Sequence, residues 1–161
     1  MQAAVAAPSV DVVALEVEAH LRRLLERERE RWSVVDSWLA EPIDLLGDYV
    51  LAGGKRLRPS FYRYGYLGAG GNPDARDWLD VAAGLELLHA FALLHDDVMD
   101  GSALRRGRPA LHRRLEEDHQ RCGWRGEPRR FGEGMAVLLG DLAFTWADRL
   151  VRCGTSCGSS S

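Results

Sequence analysis

Three cysteines in 161 residues are too few and too loosely placed for a disulfide framework. Cys122 stands alone, Cys153 and Cys157 flank a Gly-Thr-Ser triplet, and no Cys or His set has zinc-ligand spacing. Free thiols in a reducing compartment are expected. An excess of charge of one sign is also missing. Lys and Arg number 21 against 24 Asp and Glu, a net charge of −3, too balanced for a bulk binder of nucleic acid or of an anionic membrane. No uninterrupted apolar run reaches the roughly 18–20 residues of a membrane span; the longest, Val81 to Leu94, is interrupted by Glu86 and His89. No Lys or Arg precedes the apolar residues of Met1–Val13, so a secretory signal's basic leader is absent. These absences predict a cytoplasmic protein with no membrane span and no nucleic-acid partner. With 46% apolar residues the chain is not disordered, and no alternating β pattern is evident.

What is present is helical periodicity. Val12, Val13, Leu15, Val17, Leu21, Leu24 and Leu25 recur at the spacing of one helix face, with Ser9 or Asp11 placed to cap it and the alternating charges of Glu26–Arg31 as a solvated end. A second helical stretch covers about 34–52, with Pro42 predicting a kink or a break. A third starts near Pro59, since a first-turn proline forfeits no helical hydrogen bond. Asp77–Asp100 reads as one long helix, apolar on most sides. Gly101–Gly134 then carries nine arginines against five acids and reads as loop-rich, with a short helix over about 110–119. Helix returns over Met135–Val151. The chain is therefore all-α, with an N-terminal helix in 1–32, a main unit over 33–152 and a small, polar, disordered tail from Cys153 to Ser161.

Three elements carry chemistry. Asp96, Asp97 and Asp100 sit at the C-terminal end of the apolar helix, where burial, mutual repulsion and the negative end of the helix dipole all disfavour them. Asp96 and Asp100, one turn apart, present hard oxygen ligands to one or two divalent cations. Few protein ligands with open water positions favour magnesium over calcium. Arg105-Arg106-Gly107-Arg108-Pro109 comes soon after, and guanidinium forks match phosphate oxygens. Gly53-Gly54-Lys55-Arg56-Leu57-Arg58-Pro59 places cations just before a helix N-terminus, itself an anion site, without the pattern of a Walker loop. Together they imply a diphosphate bridged to protein by magnesium, and a second phosphate-bearing substrate held by cations alone. His89 lies seven residues before Asp96, two helical turns or about 10 Å along the same face.

In combination, Gly-Gly-Lys-Arg-Leu-Arg-Pro (53–59), Glu-Leu-Leu-His-Ala-Phe-Ala-Leu-Leu-His-Asp-Asp-Val-Met-Asp (86–100), Arg-Arg-Gly-Arg-Pro-Ala-Leu-His (105–112) and Leu139-Gly140-Asp141-Leu142 resemble the trans-isoprenyl diphosphate synthases, or polyprenyl synthetases. The resemblance runs in order over about 35–152. It implies a prenyltransferase that condenses isopentenyl diphosphate with an allylic diphosphate: the allylic carbon loses its diphosphate, the isopentenyl double bond attacks it, and a proton leaves. It further implies magnesium on Asp96 and Asp100 with Asp97 supporting, isopentenyl diphosphate on Lys55, Arg58, His89 and Arg106, and the allylic diphosphate on Arg105. Phe91 and Ala92, five and four residues before Asp96, occupy the family's chain-length positions and look like the geranylgeranyl or polyprenyl type. His95 has no such assignment and is expected to be structural.

The sequence departs from the family in holding one Asp-rich motif rather than two. The expected fold is accordingly the N-terminal portion of an antiparallel helical isoprenoid-synthase bundle, truncated, with little activity alone and with exposed apolar helix faces that favour a homodimer or association with another synthase chain. Two alternatives stay open: a non-catalytic partner subunit of a longer synthase, and a fragment of a class I terpene cyclase. Against the cyclase stand the two basic elements, since a cyclase has no second diphosphate to hold.

Overall fold

The computed structural model describes residues 8–156, with side chains through Gly154. The elements are α1 (Val10–Val35), a 3-10 turn (Ser37–Leu39), α2 (Ala40–Leu51), α3 (Leu57–Gly68), α4 (Trp78–Met99), a hairpin of β1 (Leu104–Arg105) and β2 (Arg108–Pro109), α5 (Leu111–Cys122) and α6 (Pro128–Ser156). The all-α expectation holds, apart from the two-residue strands.

Several boundaries differ from the sequence reading, each for a local reason. Ser9 caps α1 by accepting from the Val12 N–H at 3.3 Å, and α1 runs on through Glu26–Arg31, which is not a fully solvated end. Glu28 there is buried; it accepts from Trp32 Nε1 at 3.2 Å and from Arg149 Nη2 at 2.5 Å. The break between α1 and α2 falls at Asp36, whose carboxylate caps the 3-10 turn through Trp38 N–H at 3.0 Å. Pro42 instead lies in the first turn of α2, where its missing N–H costs nothing. Helix α6 starts earlier than expected because Glu127 accepts from the Arg129 and Arg130 N–H groups at 3.2 and 3.1 Å. It also continues to Ser156, so residues 153–156, expected to be disordered, are helical; Cys157 and the rest of that tail lie outside the described residues.

The centre is the antiparallel pair α4 and α6. Phe91 stacks on Phe144 at 5.1 Å between ring centroids, His95 packs beside Gly140, Gly84 beside Ala147 and Val151, and Val81 beside Gly154. Small residues at these crossings let the backbones approach closely. A Cβ on Gly84 would lie 2.9 Å from Val151 Cγ2 and 3.1 Å from the Ala147 carbonyl oxygen, a backbone atom that cannot rotate away. Gly84→Val is therefore expected to destabilise the fold by about 1–3 kcal/mol through overpacking, read as a lower urea midpoint at unchanged m-value. Helix α1 also packs on α4, burying Val13, Val17 and Leu21, and is tied there by His20 to Asp80 at 2.8 Å.

Among the described residues, α4 has the length and mean hydropathy, 1.2, to cross a bilayer by composition alone, although Glu86 and His89 interrupt its apolar run. Its setting gives it another role. Over half of that window, 56%, is buried inside the protein, Glu86 is ion-paired there, and its last turn is acidic; α4 is the core helix of the bundle.

Candidate active site

The C-terminal half of α4 forms one wall of the site. His89, Leu93, Asp96 and Asp100 are spaced four, three and four residues apart, the i, i+4, i+7, i+11 pattern of a single helical stripe. Asp96 and Asp100 are exposed, whereas Asp97, the next residue round, is buried. The helix ends in a turn at Gly101, with Ser102 N–H returning to the Asp97 carbonyl at 2.9 Å.

The hairpin after this turn faces the same wall. Arg106 and Gly107 both have positive φ, 52° and 75°, as a two-residue turn of the type I′ kind needs; glycine supplies the second at no steric cost. Residues Leu104 with Pro109 and Arg105 with Arg108 are paired across it. Tightness here aims two consecutive arginines at different targets. Arg105 Nε donates to both Asp97 oxygens, at 2.8 and 3.1 Å, while Nη2 bonds Asp97 Oδ1 and reaches Asp96 Oδ2 at 3.2 Å. Arg106 Nη1 donates to the Gly53 carbonyl, joining the hairpin to the Gly-Gly loop; a Cβ on Gly54 would lie 3.5 Å from Arg106 Nη2.

The Gly-Gly loop separates its own cations. Arg56, in the left-handed region at φ 45°, turns inward: its side chain is buried, Nη1 bonds Glu86 Oε2 at 2.5 Å and Nη2 donates to the Val50 carbonyl at 2.9 Å. Lys55 and Arg58 on either side are exposed. Arg56 is thus a structural peg, and its neighbours are the solvent-facing cations.

Between these elements lies a cavity of about 240 Å³, lined among others by Tyr49, His89, Arg105, Arg106, Arg108 and Arg114. Two acids share its wall: Glu86, neutralised by Arg56, and Asp48. Among the described residues no carboxylate pairs with Arg106, Arg108 or Arg114, so these three outweigh Asp48, and the cavity carries net positive charge and suits an anion. His89 reports that field: burial first, then the Arg58 charge, with Arg106 and Arg105 adding, hold its pKa below the ordinary 6.5. The structure therefore brings His89, Arg105 and Arg106 together and sets Arg58 close enough to act on His89. Lys55 is not among the lining residues.

The acids divide into two kinds. Asp97 is only 1% exposed and is fully engaged by Arg105 and by the Tyr49 hydroxyl, which donates to Oδ2 at 3.2 Å. Burial, then the Asp97 charge, push the Tyr49 pKa far above its usual value, so the hydroxyl remains a donor. The Arg105 pKa is raised too, mainly by its hydrogen bonds to Asp97. Asp96 and Asp100 are the oxygens left for a cation. Among the described residues no three His, Cys, Asp or Glu side chains converge, so a metal here would take two protein carboxylates and fill its other positions with phosphate oxygens and water. That is a donor set magnesium accepts.

Phe91 is half-buried between His95, at 4.6 Å, and Phe144, and Ala92 is exposed on the open side of α4, with Leu88 and Phe144 also exposed there. His95 Nε2 bonds the Val137 carbonyl at 3.3 Å and lies 3.5 Å from Asp141 Oδ1. Sequence reasoning missed Tyr49, unremarked within the second helical stretch, and Arg114, which stood undistinguished among nine arginines.

The class is the all-helical isoprenoid-synthase fold. The chain superposes with a TM-score of 0.85 and 33% identity on the crystal structure of a geranylgeranyl pyrophosphate synthase from Corynebacterium glutamicum complexed with isoprenyl diphosphate and magnesium, covering 91% of this chain and 42% of that one. It belongs to the polyprenyl synthetase family, whose sequence model matches residues 37–155. Curated relatives include a short chain isoprenyl diphosphate synthase from Methanothermobacter thermautotrophicus, 37% identical over 88% of this chain and 39% of the relative, and a geranylgeranyl diphosphate synthase from Mycobacterium tuberculosis, 39% identical over 61% and 23%. The chain spans about two fifths, or less, of the length of the relatives it matches.

Proposed function

We propose that this chain supplies the substrate-binding wall of a prenyltransferase that joins isopentenyl diphosphate to an allylic diphosphate. The observation that carries the reading is the pair of exposed carboxylates, Asp96 and Asp100, one turn apart on α4, with Asp96 tied through Arg105 to an arginine-lined cavity that holds unpaired positive charge. Asp96 and Asp100 hold magnesium and through it the allylic diphosphate. Magnesium, when bound, neutralises charge that builds on the departing diphosphate oxygen. Arg106, His89, Lys55 and Arg58 hold isopentenyl diphosphate by charge alone, and Arg105 presents its free edge to the allylic diphosphate. The open apolar strip with Phe91, Ala92 and Phe144 takes the growing hydrocarbon, in keeping with a geranylgeranyl or polyprenyl product. With one Asp-rich motif in its 161 residues, the chain alone binds both diphosphates but condenses them slowly or not at all.

Calorimetric titration of the folded chain with geranyl diphosphate and with isopentenyl diphosphate, with and without magnesium, tests this. The first is expected to bind only with magnesium and the second without it, and prenyl products extracted from a mixture of both would show any turnover. A folded chain that binds neither diphosphate would sink the reading.

His89 adds a pH signature. Its folded pKa is below 6.5, so between 6.5 and that value the unfolded chain binds the proton first and the fold loses stability as pH falls. A seated anion reverses the preference by stabilising the imidazolium. The affinity for isopentenyl diphosphate, taken as the ratio of wild type to His89→Gln, is therefore expected to rise roughly three- to tenfold from pH 7.5 to 5.5. A flat ratio would remove His89 from the anion site. The ratio cancels the ligand's own titration.

A further inference from the structure

The geometry points to Tyr49 as a positioning residue: it fixes the Asp97 carboxylate, which keeps Arg105 anchored there and leaves Asp96 open to a cation. The inference rests on the proposed function and deepens it. Asp97 is buried, and a carboxylate in that setting persists only with its oxygens engaged. Oδ1 accepts from Arg105 Nε at 2.8 Å and from Nη2, whereas Oδ2 has only the longer Nε contact at 3.1 Å and the Tyr49 hydroxyl at 3.2 Å.

The same Nη2 also reaches Asp96 Oδ2, at 3.2 Å. One guanidinium nitrogen is thus shared between a buried acid and an exposed one, and each bond Asp96 makes to it occupies a lone pair that a cation must win. Tyr49 sits on α2, a different element from either acid, and both Tyr49 and Arg105 line the cavity. Without its hydroxyl, Asp97 turns about its side-chain bond and its grip on Arg105 loosens. The guanidinium then moves toward Asp96, the nearest other carboxylate that it already touches. Tyr49 does not touch the cation in this scheme; it sets how Arg105 is divided between two aspartates.

The test compares wild type, Tyr49→Phe and Tyr49→His, the last retaining a ring N–H donor. The Arg105 Nε–H proton, identified in nitrogen-15 spectra by its absence from Arg105→Lys, is expected to exchange slowly in wild type and on the order of tenfold faster in Tyr49→Phe. The magnesium concentration that half-saturates geranyl diphosphate binding should rise by a similar factor, and Tyr49→His should restore both readouts at least in part. A merely structural tyrosine would lower stability without shifting the magnesium dependence. The inference is overturned if Tyr49→Phe folds with Arg105 exchange unchanged, or if neither variant folds, which would make the Tyr49–Asp97 bond a condition of the fold rather than a control on Asp96. Should wild type bind no diphosphate, the functional reading fails, and the Arg105 exchange comparison alone still decides for or against Tyr49.

Discussion

Asp96→Ala is expected to weaken magnesium-dependent binding of an allylic diphosphate by on the order of a hundredfold while leaving the protein as stable as wild type. The two halves of that statement have separate causes. The Asp96 side chain is 56% exposed and, among the described residues, its carboxylate meets a single Arg105 nitrogen at 3.2 Å, so its loss uncovers no buried group. It also relieves repulsion with Asp97 and Asp100 at the negative end of the α4 dipole, worth a few tenths of a kcal/mol. For the ligand the loss is large. Asp96 is one of only two carboxylates available to the cation, and removing one preorganised partner of a diphosphate charge costs roughly a hundred- to a thousandfold. Asp97→Ala is the contrasting case. There Arg105 and the Tyr49 hydroxyl both lose the buried carboxylate they share, and stability falls by about 2 kcal/mol. Calorimetry with geranyl diphosphate and urea unfolding on the two variants separate these outcomes. Undiminished affinity in a folded Asp96→Ala protein would take Asp96 out of the metal site.

The difference between Asp96 and Asp97 also marks where sequence reading stopped. Spacing placed His89, Asp96 and Asp100 on one stripe, because a helix repeats every 3.6 residues whatever surrounds it. Spacing also put Asp97 beside them, but not underneath them. Its burial depends on Tyr49, 48 residues earlier, and on a hairpin that returns Arg105 to the helix. Glu28 failed in the same way. In an alternating run of charges it reads as solvated, and its burial comes from Arg149, 121 residues away. Local patterns carry local information; a buried ion pair between distant residues leaves no periodic trace. Other differences were within reach. Arg129 and Glu133 stand four residues apart and pair in the structure, the signature of helix rather than of the loop-rich segment assigned there. Pro42 was weighed as a breaker although a proline two residues after a helix start is harmless, and Asp36, the residue that ends α1, is a good cap for the 3-10 turn beyond it.

Glu86→Ala should have the largest effect on stability, about 3–5 kcal/mol, against the 5–15 kcal/mol that holds a typical domain together. Arg56 and Glu86 keep only 4% and 7% of their side chains exposed, and Arg56 Nη1 meets Glu86 Oε2 at 2.5 Å. Removing the acid strands a guanidinium in the interior with the Val50 carbonyl as its remaining partner and Nε already buried without one. The double variant Arg56→Met/Glu86→Leu removes both charges and fills their volume, and is expected to unfold within about 1 kcal/mol of wild type, or above it. Urea midpoints for the two single variants and the double complete the cycle; a loss below about 1 kcal/mol in Glu86→Ala would show that the pair is not held as described. The anion site feels the same change. Arg56 is the inward peg between the exposed Lys55 and Arg58, in a left-handed conformation that persists only while its side chain is anchored. The double variant tests this directly, since it restores stability but not the anchor. Its affinity for isopentenyl diphosphate should fall several-fold although Lys55, Arg58 and His89 are all intact. An unchanged affinity would mean that the Gly53–Arg56 loop is held by Arg106 on the Gly53 carbonyl alone.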